Sequence, residues 1–579
     1  MAENKSKQSL DKNKIDFFLL GRVLSLAKPY RKIFILAGVL AVALSPLAIM
    51  RPYLVQVMVD EYIFRYDIDG LTRVAMLLAG ILMVEALFNY LFIYSTSWLG
   101  QSVIRDLRVN VFQHITRLRL KYFDTTPIGT STTRTINDIE TINTVFSQGV
   151  ITIVADLLTL VAVLAIMFYT SWKLTLICLT VLPFMVLASY VFKENVKKAF
   201  QIVRTQISKM NAFLQERITG MRIVQIFNAE AQEMEKFKKI NREYTQANLD
   251  SILYYAIFYP VVEIISAASL GLMVWWGARD VIQGGVTPGA LVAFPIYLSM
   301  LFRPIRMIAD KFNTLQMGLV ASERVFNLLD NNSVIKNNGT IEAKRLKGDI
   351  AFKKVDFAYN AKDYVLQNLS FDIKAGETLA IVGSTGSGKS TIINILNRFY
   401  EIQNGHITID GIDIRNYELY SLRKRLAVVL QDVFLFSGTV MENITLRDNR
   451  ISREQVIEAA KMIGAHDFIN ALPGGYEYEV MERGATLSMG QRQLISFVRA
   501  LVFDPDILIL DEATSSIDPE SEAVIQYAIE KLISRRTSII VAHRLSTIRH
   551  ADNILVLDGG HIQEFGSHEE LLRVEGGHY

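Results

Sequence analysis

The sequence has a single cysteine, Cys178, so no intrachain disulfide framework is available to it. Charge is scarce: Asp, Glu, Lys and Arg make up 21% of 579 residues, against about 25% in average soluble chains. The formal net charge of +3 excludes a strongly basic nucleic-acid binder. A cleavable signal peptide is also missing. Residues 1–16 are polar and Lys-rich, and no short apolar core with a small-residue cleavage site follows them. No repeat with a period of 20–50 residues is evident. What the chain does have is apolar mass: 51% hydrophobic residues and a mean hydropathy of +0.26. That excludes intrinsic disorder and calls for a place to house the excess.

The excess is concentrated in the first half. Six runs carry at most one charge each: 33–57 (Arg51), 74–99 (Glu85), 149–170 (Asp156), 174–192, 252–278 (Glu263) and 286–302. A membrane-spanning helix needs about 17–25 mostly apolar residues, and all six runs meet that requirement. Six spans place both ends of the membrane domain on one side. The connections at 58–73, 171–173 and 279–285 are short, while those at 100–148 and 193–251 are long, polar and helix-patterned. The side with the long loops and the N-terminal tail carries 25 Lys and Arg, the other side 4. Loop length accounts for most of that asymmetry, so the positive-inside pattern is weak evidence by itself. The stretch 17–27 is amphipathic and reads either as an interfacial helix or as the end of the first span.

Near residue 330 the composition changes. A polar linker, 330–339, leads into apolar strands that alternate with helical segments: 379–382, 427–430, 507–510 and 538–541. Strands apolar throughout and alternating with helices predict a parallel sheet covered on both faces.

Three clusters and one lone histidine in this half carry chemistry. Gly383, Ser384, Thr385, Gly386, Ser387, Gly388, Lys389, Ser390 and Thr391 follow an apolar strand and open a helix, in the spacing of a phosphate-binding loop. The glycines let backbone N–H groups turn onto phosphates at a helix N-terminus. Lys389 neutralises phosphate charge, and the Ser390 hydroxyl suits Mg²⁺. Asp511 and Glu512 end another apolar strand, 122 residues downstream of Lys389. An acid at the end of a buried strand is costly unless it faces a cation or a site. Asp511 is placed to hold Mg²⁺ through water, and Glu512 to polarise the attacking water; alone, the pair would read as a cap of the next helix. Ser488, Gly490 and Gln491 begin a helix and read either as an N-cap or as an anion site. His543, just past the strand 538–541, reads either as structural or as a γ-phosphate contact.

Together these residues resemble the ATPase domain of ABC transporters. The whole chain resembles a type IV ABC half-transporter of the multidrug- and lipid-exporter kind. The resemblance implies a multi-domain fold: a six-helix all-α transmembrane domain (1–328), a linker (329–345) and an α/β P-loop ATPase domain (346–579). It implies that Tyr359 stacks on adenine, and that Gln431 senses Mg²⁺ and joins the catalytic set with Glu512 and His543. By the same likeness, 482–484 match the X-loop and 515–518 the D-loop. The signature 487–491 would bind ATP through Ser488, Gly490 and Gln491, and the metal set would be Ser390, Gln431 and Asp511. Segments 122–129 and 211–220 would be coupling helices; otherwise they are helix–helix turns.

The implied activity is ATP-driven export of amphipathic drugs or lipids, with ATP and Mg²⁺. The alternatives are a lipid flippase, or an ATP-gated channel or regulator without uphill flux. The family pairs each signature with the phosphate loop of a second ATPase domain. An obligate dimer is therefore expected, with a multi-pass location in the cell (inner) membrane, lipid around it, cytosolic termini and no nucleic-acid partner. One departure stands out: the first of the usual two signature glycines is Met489, which leaves homodimer and heterodimer open. Glu85, Asp156 and Glu263 are candidates to face a substrate cavity, and Arg51 to contact substrate or snorkel outward. Tyr254, Tyr255, Phe258 and Tyr259 line a pocket or pack between helices.

Overall fold

The computed structural model describes residues 16–579 except 336, 361–362, 512–518, 535 and 543–544, and it leaves out the side chains of 148, 305–310, 312–313, 519–521 and 546–547. The sequence-based assignments to Glu512, His543 and 515–518 therefore lie outside the described residues. Two compact units make up the chain. One comprises Met1–Thr116 and Pro127–Asn332; the other comprises Arg117–Thr126 and Ser333–Tyr579.

The described part of the first unit is helical. Its long helices are Arg31–Val57, Ile68–Ile115, Val150–Thr170, Leu182–Thr219, Glu230–Ile282 and Pro288–Leu329. The helices of 48 and 53 residues (Ile68–Ile115 and Glu230–Ile282) are about 70 and 80 Å long at 1.5 Å per residue. A bilayer's hydrocarbon core is about 30 Å thick. The long polar connections are thus largely continuations of the spans. Among the described residues, five stretches are long and apolar enough to cross a membrane: Lys28–Ile63, Ile68–Ile115, Ile128–Thr170, Trp172–Thr219 and Glu230–Ile282. All but the first two residues of the sixth expected run, 286–302, fall within the helix Pro288–Leu329, which is not among those five. The helices keep apolar side chains outward, with Met83 76%, Leu87 54% and Ile93 56% exposed. A soluble surface does not tolerate a continuous apolar face of this kind.

Local sequence sets the breaks. Ser171 is extended (φ −160°, ψ 107°) and its hydroxyl accepts from the Leu174 N–H, which closes the expected short connection. Thr126 precedes Pro127 and is forced extended (φ −115°, ψ 117°), which ends the short helix Leu120–Thr125. This agrees with the break expected in 122–129. The second break falls at Gly220, the last residue of the expected segment 211–220. Residues 211–219 continue the helix Leu182–Thr219, and Gly220 separates it from the short helix Met221–Ile226. The stretch 17–27 holds a separate helix, Phe17–Ser25, joined to the next by a 3-10 turn at Lys28–Tyr30. Arg22 ties it to the end of Pro288–Leu329 through two 2.6 Å hydrogen bonds to Asp330 and a guanidinium stacked 4.1 Å from the Phe326 ring.

The charges inside the spans separate into different environments. Asp156 is paired with Lys311 of the helix Pro288–Leu329, so it is an interhelical partner rather than a free cavity acid. Glu85 is half-buried, and one of its carboxyl oxygens has no hydrogen-bond partner among the described residues. Glu263 is exposed and Arg51 half-buried. Phe258 stacks on Phe192 at 3.9 Å, and Tyr255 meets Phe192 edge-on at 5.0 Å. Phe258 and Tyr254 also line an apolar groove of about 770 Å³ between Leu182–Thr219 and Glu230–Ile282. Packing and lining thus both occur.

The second unit contains three sheets. An antiparallel sheet is built from β1 (Ile350–Asn360), β2 (Asp363–Ile373), β4 (Asn404–Ile409) and β5 (Ile412–Asp413), in the order β2-β1-β4-β5. The main sheet contains β3 (Thr378–Gly383), β6 (Leu426–Val429), β9 (Ile507–Asp511), β10 (Thr537–Val541), β11 (Asn553–Asp558) and β12 (His561–Gly566). Its order is β12-β11-β3-β10-β9-β6, with every pair parallel except β11–β12. A small pair, β7 (Gly438–Thr439) and β8 (Glu479–Val480), forms the third sheet. All four expected strands are in the main sheet; those at 379–382, 507–510 and 538–541 are almost wholly buried, for example Leu379, Ala380 and Ile381 at 0% exposure, whereas β6 at the sheet edge is half-buried at Ala427 and Val428 and ends before the exposed Leu430. The purely parallel expectation is corrected at the β12 edge and by the separate antiparallel sheet. β12 alternates exposed and half-buried residues, the pattern of an edge strand with one face in water.

Candidate active site

Phosphate-loop chemistry belongs at the carboxyl ends of parallel strands, where the chain must turn sharply into a helix. In the main sheet, Val541 stands opposite both Ile381 and Asp511. The register therefore brings the loop after β3, the acid ending β9 and the exit of β10 to one edge.

The loop 383–388 leaves β3 and enters the helix Lys389–Leu396 through Gly388, whose φ of 106° favours glycine. Gly383 is needed for a different reason. It pairs with Leu557 of β11, and a Cβ there would lie 2.1 Å from the Leu557 carbonyl oxygen. Backbone on backbone cannot relax cheaply. Gly383→Ala should lower stability by about 2 kcal/mol and weaken ATP binding at the same time; thermal unfolding and a nucleotide titration would show it. An unchanged melting temperature would refute the close approach.

Lys389 is 9% exposed. Its Nζ donates to the Gly383 and Ser384 carbonyl oxygens at 2.8 and 2.9 Å. Burial pushes its pKa down, and Asp511 opposes the shift. The Ser390 hydroxyl lies 3.4 Å from an Asp511 carboxyl oxygen, so the two expected metal ligands do come together. Ser387 is 2% exposed, and its hydroxyl oxygen is buried without a hydrogen-bond partner among the described residues. Beside it, a Cβ on Gly386 would meet nothing within 4 Å. An orphaned polar atom, a buried cation and open space next to them suit a bound polyphosphate. Thr385 lies within the same loop, exposed.

The aromatic expected under adenine is held in place. The Tyr359 hydroxyl lies 3.2 Å from Thr391 Oγ1 and accepts from Asn394 Nδ2 at 3.2 Å. Its ring sits edge-on to Phe357 at 4.9 Å and to Tyr400 at 5.0 Å. Gln431 is exposed two residues after β6, whose Val429 pairs with Leu510. That puts it at the sheet edge where Asp511 ends β9.

The signature residues form a capping box on the helix Met489–Val502. The Ser488 hydroxyl accepts from the Gln491 N–H at 3.2 Å, and Gln491 Oε1 accepts from the Ser488 N–H at 3.0 Å. Within one chain the capping reading is the one observed. Gly490 is buried and Met489 44% exposed. In 482–484, Arg483 and Gly484 have φ of 57° and 70°, a tight turn before that helix.

Three contributors escaped the sequence reading. Asp558 accepts from the Ser384 hydroxyl at 3.0 Å. It ends an apolar strand as Asp511 does, so the same signal could have found it. Asn394 and Tyr400 carry no local signal.

A mostly parallel sheet with a phosphate loop and a strand-end acid beside it, on one chain with membrane-length helices, defines an ATP-hydrolysing membrane transporter. The chain belongs to the ABC transporter family: the family's transmembrane region matches residues 34–305 and its ATP-binding part, described as ABC transporter, matches 366–515. It is 41% identical over 561 residues to the uncharacterized ABC transporter ATP-binding protein YknV of Bacillus subtilis (strain 168), covering 96% of this chain and 93% of the relative. It is 38% identical to that organism's probable multidrug resistance ABC transporter ATP-binding/permease protein YheH, covering 91% and 79%. An ATP-dependent lipid A-core flippase of Syntrophus aciditrophicus (strain SB) is 35% identical, covering 96% and 93%. The chain is a half-transporter of the type IV kind, a multi-pass membrane protein in which ATP hydrolysis is coupled to transport.

Proposed function

We propose that two such chains form an exporter that moves amphipathic drugs or lipids out of the cytoplasmic leaflet of the cell membrane. The observation that carries this reading is the approach of Ser390 to Asp511 beside the buried Lys389, on the same chain as the membrane-length helices. Six spans in residues 1–328, a linker at 329–345 and the ATPase domain at 346–579 complete the architecture, with both termini in the cytosol, where ATP is.

The residue roles follow from chemistry. Lys389 and the loop N–H groups hold the β- and γ-phosphates. Ser390 and Asp511, with Gln431, would hold Mg²⁺, which supplies charge neutralisation between the phosphates. Tyr359 stacks on adenine, Glu512 takes a proton from the attacking water, and His543 contacts the γ-phosphate. One signature and one phosphate loop per chain make a single chain incomplete. Ser488 and Gly490 complete the site of the other chain. ATP then drives closure through its higher affinity for the closed state. The relatives named for multidrug resistance and for lipid A-core flipping support amphipathic cargo. So does the groove lined by Phe184, Phe192, Tyr254 and Phe258.

Inside-out vesicles containing the chain alone should accumulate a fluorescent amphipathic dye when given ATP, and should not do so with a non-hydrolysable analogue. A passive leak equal in both cases would overturn the exporter reading. Accumulation only after co-expression of a second half-transporter would replace the homodimer with a heterodimer.

A further inference from the structure

The helix Leu120–Thr125 belongs to the same compact unit as the nucleotide site. It is held there at its N-terminal end. Leu118 pairs with Val334, the Arg119 N–H donates to the Ser333 carbonyl at 3.0 Å, and Arg119 Nε donates to the Val334 carbonyl at 3.1 Å. Two of its side chains, one turn apart on one face, then reach the aromatic platform. Lys121 Nζ donates to the Tyr359 carbonyl oxygen at 2.7 Å. Asp124 accepts from the Tyr400 hydroxyl.

Tyr400 is 9% exposed, and its ring stands at 87° to that of Tyr359. Tyr359 is therefore constrained at three points. Thr391 and Asn394 of the phosphate-loop helix fix its hydroxyl, Tyr400 fixes its flank, and Lys121 fixes its main chain. The first constraint ties the ring to the helix that follows the phosphate loop. The other two tie it to a helix that the chain inserts between its membrane spans.

We infer that Lys121, Asp124 and Tyr400 are positioning residues for the stacked purine, so that the helix Leu120–Thr125 responds to the base and not only to the phosphates. The inference rests on the reading of this site as an ATP site. Linkage makes the effect reciprocal: a helix that tightens base binding is itself held more firmly when a base is bound. A base-dependent hold on this helix would let the unit distinguish a nucleotide from a bare polyphosphate.

The full chain, purified in detergent, tests this by equilibrium binding of ATP and of inorganic tripolyphosphate. Tyr400→Phe removes one hydroxyl and keeps the ring; Lys121→Met removes the ammonium and keeps the stem. Each should weaken ATP binding about threefold, the scale of one hydrogen bond. Tyr359→Ala should weaken it about tenfold or more. Tripolyphosphate binding should be unchanged in all three. In the Tyr359→Ala background both conservative substitutions should have no further effect, because no ring is left to position. Full additivity with Tyr359→Ala, or equal weakening of ATP and tripolyphosphate, would overturn the inference. Failure of the unaltered chain to bind ATP would instead refute the ATP site itself, which keeps the two readings separate.

Discussion

Lys389→Ala should lower ATP hydrolysis by at least about two orders of magnitude, the cost of removing one preorganised donor from a charge-developing site. The side chain is 9% exposed and its Nζ sits on the Gly383 and Ser384 carbonyls, inside the loop proposed to hold the phosphates. A charge held in so dry a place acts more strongly than one in water. Burial lowers its pKa while Asp511 raises it, so the ammonium is kept charged against a desolvation cost by the acid across the site. In the proposed site an arriving triphosphate would take over that role, with the ammonium exchanging two carbonyls for phosphate oxygens. Alanine forfeits the exchange, so ATP affinity should fall along with turnover. Phosphate release by the full chain, with and without the substitution, reads the first effect; nucleotide titration reads the second. Retention of more than about a tenth of the activity would remove Lys389 from the site.

Glu512→Gln should reduce hydrolysis by about a thousandfold, within the range of general acid–base catalysis, yet leave ATP binding intact. The amide keeps the size of the side chain. It cannot take a proton from water. In the proposed two-chain site ATP should then persist and hold the dimer closed. Two readouts follow: loss of dye accumulation in inside-out vesicles, and a long-lived ATP complex after rapid dilution. Lys389→Ala should show neither binding nor trapping, so the two variants separate binding from chemistry. Hydrolysis within a factor of about two of the unaltered chain would mean that another group activates the water.

The legible parts of this molecule are those written in consecutive residues. An apolar run long enough to cross a bilayer is local, and five of six such runs reappear as candidate spans. The strands 379–382, 427–430, 507–510 and 538–541 are apolar on both faces, and each lies in the main sheet. The phosphate loop is also local, because the glycines, the lysine and the helix they open are neighbours in sequence. The Thr126–Pro127 break was readable for the same reason. The break at Gly220, the end of the expected segment 211–220, was readable from its glycine, although 211–219 continue the preceding helix.

What stayed hidden was pairing at a distance. Nothing in the span 149–170 says that Asp156 has a partner at Lys311, 155 residues further on. The antiparallel sheet was hidden as well, because β1 and β4 meet only after the phosphate-loop helix has intervened. Tyr400 beside Tyr359 and Asn394 on its hydroxyl depend on how that helix packs.

The amino-acid sequence by itself thus determined the membrane-length helices, the parallel strands and the phosphate loop, because length, hydropathy and spacing act between near neighbours. Only the tertiary structure decided which membrane acid is neutralised, that Ser488 and Gln491 cap their own helix, and that the helix Leu120–Thr125 bears on Tyr359. The first and last are contacts between groups that chain order leaves apart; the Ser488–Gln491 cap is local, and the structure only chose between two readings of it. The low charge and single cysteine acquire their meaning from the same division: apolar spans need few charges, and buried strands and helices hold together without disulfides.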